Sequence, residues 1–72
     1  MTEDPPPPAA EVVIVRDHYG CGVTTYRSDE PDAVHAQPSF DAAVAFWQVT
    51  CGLGPGRVVD DQFGRYVVRF GD

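Results

Sequence analysis

Residues 38–52, PSFDAAVAFWQVTCG, are the stretch whose caps, periodicity and stop signals all point to one local structure. Ser39 is placed to cap a helix, because its hydroxyl can accept a hydrogen bond from a first-turn N–H that has no partner inside the helix. Asp41 falls in the first turn, where a negative charge meets the positive end of the helix dipole. Gly52 suits the left-handed position after the last turn, and Pro55 bars further extension. At about 100° per residue, Phe40, Ala43, Val44, Trp47 and Cys51 form one apolar face. Ala42, Phe46 and Val49 widen that surface until Asp41 and Gln48 remain as a polar wedge. A helix this apolar is expected to be covered on more than one side, so Phe46, Trp47 and Val49 are the helix residues expected to meet a partner.

The flanking segments read as strands. Residues 11–17, EVVIVRD, are apolar at consecutive positions, as in a central strand or one covered on both faces. Turn chemistry at His18-Tyr19-Gly20 leads into residues 21–27, CGVTTYR, whose β-branched and aromatic content completes an antiparallel hairpin. Residues 28–37 are polar, are interrupted by Pro31, and read as a loop with a short edge strand over 33–36. After the turn-rich GLGPG, residues 57–60 and 65–70 bracket a turn at 60–64 and form a second hairpin. In its last strand Tyr66, Val68 and Phe70 share one face. Arg65, Val67 and Arg69 share the other, towards solvent or an acidic partner.

The expected architecture is therefore α+β: a small, mainly antiparallel sheet of about four strands, in ββ(β)αββ order, packed on one α-helix. Eleven valines against one leucine and one isoleucine lean the same way, since valine favours the pleated sheet. Residues 1–10, MTEDPPPPAA, are expected to be a disordered acidic proline-rich tail, and residues 11–72 a single domain. A core drawn from about 60 residues buries only about 60% of the surface its unfolded chain exposes, so extra support is expected. One helix covers one sheet face; the other face and the helix flank leave apolar surface over, and a homodimer would relieve both.

The formal charge of −6 argues against binding a phosphate backbone, and all five basic residues are arginine. Met1 is followed by acids and prolines, so neither a signal peptide nor a membrane span is expected, and the cytoplasm is the expected compartment. His18, Cys21, His35 and Cys51 include one closely spaced pair where small zinc sites use two, so no metal is expected. A cysteine near a helix C-terminus is a poor nucleophile, because the negative dipole end disfavours the thiolate. The glycines of GLGPG follow a helix, whereas a phosphate cradle leads into one, and the chain has no lysine. No catalytic group and no cofactor are expected. The carboxylates Asp29, Glu30 and Asp32 in the acidic loop, and Phe63 at the tip of the second hairpin, complete the expected interaction residues.

Residues 12–49 resemble the small sheet-and-helix domain of HicB-type antitoxins, in which a hairpin, a D-x-P-type loop and a capped alanine-rich helix follow in that order. The glycine and cysteine that follow the loop proline in those domains are absent here. The resemblance implies an antitoxin-like small domain. The residues themselves favour a small acidic non-enzymatic interaction module, a regulator or inhibitor of a protein partner that itself binds nucleic acid or not. A structural subunit of a larger assembly is the alternative.

Overall fold

The computed structural model describes residues 9–17, 20 and 22–71. Five strands and one helix follow in the order β1 (Ala9–Arg16), β2 (Val23–Arg27), β3 (Glu30–Gln37), α1 (Phe40–Cys51), β4 (Gly56–Gln62) and β5 (Arg65–Gly71). The strands form one antiparallel sheet in the spatial order β3-β2-β1-β5-β4. The α+β class and the element order agree with the sequence. The sheet has one strand more than the expected four, because the segment expected as a loop with a short edge strand extends to the full length of β3. An edge strand tolerates Pro31, since one side of its backbone needs no N–H for pairing. A register shift between Thr25 and Arg27 of β2 absorbs the extra residues.

β1 begins at Ala9, two residues before the expected domain boundary, and Ala10 is buried against the core side. Residues 1–8 of the expected tail, 1–10, lie outside the described residues. β1 is the central strand, paired with β2 on one side and β5 on the other, which accounts for its unbroken apolar run. Val12 and Ile14 point to the helix and are fully buried; Val13 points away from it and is 3% exposed.

The helix forms as its sequence dictates. Ser39 Oγ accepts from the Ala42 N–H at 3.1 Å, and Gly52 adopts φ 65° with its N–H donating to the Gln48 carbonyl at 3.1 Å. Ala43 and Trp47 are buried in a core with Val12, Ile14, Val23, Val68 and Phe70, and Phe40, Val44 and Cys51 pack beside them. Gly56 lies opposite Phe70 in the β4–β5 ladder. A Cβ there would stand 2.5 Å from Phe70 Cε2, so the ring closes over bare backbone.

Candidate functional site

Trp47 is 2% exposed, which corrects its expected place at an interface. Its indole needs a hydrogen-bond partner once buried, and Thr25 on β2 provides one: Trp47 Nε1 donates to Thr25 Oγ1 at 2.7 Å. Phe46 is half-buried rather than free, its ring 5.0 Å from those of both His35 and Trp47. The second flank of the helix is thus covered by β3, a strand longer than its polar composition indicates. Val49, by contrast, is 84% exposed, and Asp29, Glu30 and Asp32 are all exposed. Asp29 pairs with Arg27 at 3.1 Å across the β2–β3 turn, while Glu30 and Asp32 lie on the edge strand.

Phe63 stands at the tip of the β4–β5 hairpin. Gln62 and Arg65 are the last paired residues, which leaves Phe63-Gly64 as a two-residue loop. Both have positive φ, 51° and 85°. This is the pattern of a type I′ turn, whose twist matches the strands and whose first position favours asparagine, aspartate or glycine. A bulky aromatic residue at positive φ is an outlier. The ring is also fully exposed. The tip is anchored from below, where the Arg16 N–H donates to the Gly64 carbonyl at 2.8 Å.

A cleft of about 800 Å³ opens beside the helix N-terminus, lined by Phe40, Val23, Val58 and Tyr66 together with the charged Arg16, Asp41 and Asp61. Phe40 and Tyr66 meet edge-to-face at 5.0 Å in its wall. Of the four soft metal ligands, His18 and Cys21 lie outside the described residues. His35 sits in the aromatic stack, and Cys51 is a half-buried free thiol at the helix end. Among the described residues no three His, Cys, Asp or Glu side chains gather as metal ligands, and no helix is long and apolar enough to cross a membrane.

A feature that sequence reasoning reached only in part is the sheet face away from α1. Alternation puts Arg65, Val67 and Arg69 on this face, since Val68 and Phe70 enter the core. The register then adds neighbours in three rows: Glu11, Arg69 and Arg57; Tyr26, Val13, Val67 and Asp60; Thr24, Val15, Arg65 and Gln62. Arg57 joins the group only through its pairing with Arg69, which no local pattern discloses.

Comparison with family models, with curated proteins and with solved structures returns no match for this chain.

Proposed function

We propose that this chain is a small non-enzymatic interaction module that binds a protein partner through the tip of its β4–β5 hairpin, with Phe63 as the anchor. The observation that carries the reading is the coincidence of two features at one residue. Phe63 exposes its whole ring, and it holds a left-handed backbone that asparagine or glycine would adopt with less strain. Aromatic rings held out on a rigid support are the usual anchors of protein interfaces, and here the support is a two-residue turn tied to β1. A regulator or inhibitor uses such a surface to occupy its target. Self-association belongs to the same reading, and its apolar candidates are Val49 on the helix and Val58 and Val59 on edge strand β4.

The test compares the full chain with Phe63→Asn. Partners retained from a lysate of the source organism are identified, purified and rebound to each protein. A purified partner that binds the parent and loses at least tenfold in affinity to a well-folded Phe63→Asn variant supports the proposal. Equal binding to both proteins overturns it.

A further inference from the structure

We propose that the uncovered face of the sheet is a docking surface for an acidic, extended segment of a partner protein, with carboxylates flanking an apolar residue. Although the chain carries a net charge of −6, three of its five arginines, Arg57, Arg65 and Arg69, stand on this one face. Arg57 and Arg69 are directly opposite in the ladder, an arrangement of like charges that weakens a sheet. Glu11, opposite Arg69 on the other side, approaches it at 4.0 Å, a long ion pair between half-exposed groups. Among the described residues no carboxylate is paired with Arg57 or Arg65, and both are exposed. An incoming carboxylate between Arg57 and Arg69 would turn that repulsion into a shared attraction.

The spacing defines the ligand. Arg65 and Arg69 are four residues apart on β5, about 14 Å at the rise of a strand, with Val67 midway. Tyr26 continues the apolar row on the far side of Val13, which its neighbours already cover at 3% exposure. An extended segment of the pattern acid-x-apolar-x-acid has the same spacing, so its carboxylates meet the two arginine rows while its central side chain covers Val67. Nucleic acid fits less well. Its phosphates carry charge at every nucleotide, and Glu11 and Asp60 on this face would oppose the intervening ones.

The probe is a fluorescein-labelled peptide carrying two Glu-Thr-Val-Thr-Glu repeats, titrated with the full chain and followed by anisotropy at about 20 mM and about 200 mM salt. The expected result is binding that weakens with salt, falls about tenfold in the double variant Arg57→Gln/Arg65→Gln, and vanishes when glutamine replaces glutamate in the peptide. Both arginines are exposed, so the variant's melting curve should match the parent's, which separates lost binding from lost folding. Phe63→Asn should bind the peptide normally, so this proposal and the hairpin-tip proposal stand or fall separately. Absence of binding at low salt, or equal binding by the double variant, overturns it. So does tighter binding of a single-stranded oligonucleotide of equal charge that depends on the same arginines.

Discussion

The Trp47 indole and the Thr25 hydroxyl are joined at 2.7 Å in the interior, and the same hydroxyl donates to the Val13 carbonyl at 2.7 Å. Helix, second strand and central strand are therefore linked through one oxygen, which serves as acceptor and donor at once. Among the described residues Thr25 is the buried polar side chain of this core, with no exposed surface.

Replacing Thr25 with valine keeps the shape and strands the buried indole N–H. The expected loss is about 1–3 kcal/mol. In a domain of this size that lowers the melting temperature by about 4–8 °C per kcal/mol. Thr25→Ser retains the hydroxyl and should lose no more than about 1 kcal/mol, the contribution of a buried methyl group. Thermal unfolding followed by the fluorescence of the single tryptophan measures both. A Thr25→Val variant that melts at or above the parent's temperature would show that the hydrogen bond adds nothing.

Gly56→Ala places a methyl group against Phe70 Cε2, Phe70 Cζ and the Val68 side chain, all within 2.8 Å of the new Cβ. The ring and β4 must move apart, and overpacking of this kind lowers stability by about 1–3 kcal/mol. Gly54→Ala, at φ 92° with nothing within 4 Å, is strained by its backbone alone and serves as the comparison. Urea denaturation of the two variants separates packing from conformation: only the first should be rescued in part by Phe70→Leu.

Phe63→Asn should stabilise the protein by about 1 kcal/mol, because asparagine tolerates the left-handed turn, while a ring exposed in folded and unfolded chain alike adds nothing to the difference. A rise in melting temperature together with lost partner binding is the expected signature of a residue kept for contact rather than for folding. A lower melting temperature would place Phe63 among the residues that hold the hairpin together.

Arg57→Glu converts a cross-strand repulsion with Arg69 into an attraction, and a gain of about 0.2–1 kcal/mol is expected at low salt. The gain should shrink as ionic strength rises, since both groups reach solvent. Denaturation midpoints at two salt concentrations test this.

Self-association is testable by light scattering. We expect a dimer that Val58→Lys/Val59→Lys dissociates, because β4 is an open edge with two half-exposed valines. The other edge, β3, carries Glu30, Pro31 and Asp32 and is blunted against such pairing. A parent protein that is monomeric at every concentration would remove self-association from the proposed function.

Much of the local structure was legible. Ser39, Gly52 and the apolar spacing from Phe40 to Cys51 specify a helix because capping and periodicity act within a few residues of one another. The alternation in residues 65–70 likewise specified which side of β5 enters the core. β3 was legible only in part. Its side chains are exposed along most of its length, so no hydrophobic pattern marks it, and it is a strand because β2 offers backbone partners.

By itself, then, the sequence determined the helix, the two hairpins and the α+β class, all of which rest on short-range rules. The tertiary structure alone decided two things. It buried Trp47 by placing Thr25 beneath it, and it gathered Arg57, Arg65 and Arg69 on one face of an acidic molecule. Strand order and register join residues far apart in the chain, and composition or net charge averages over the neighbours that such pairing creates.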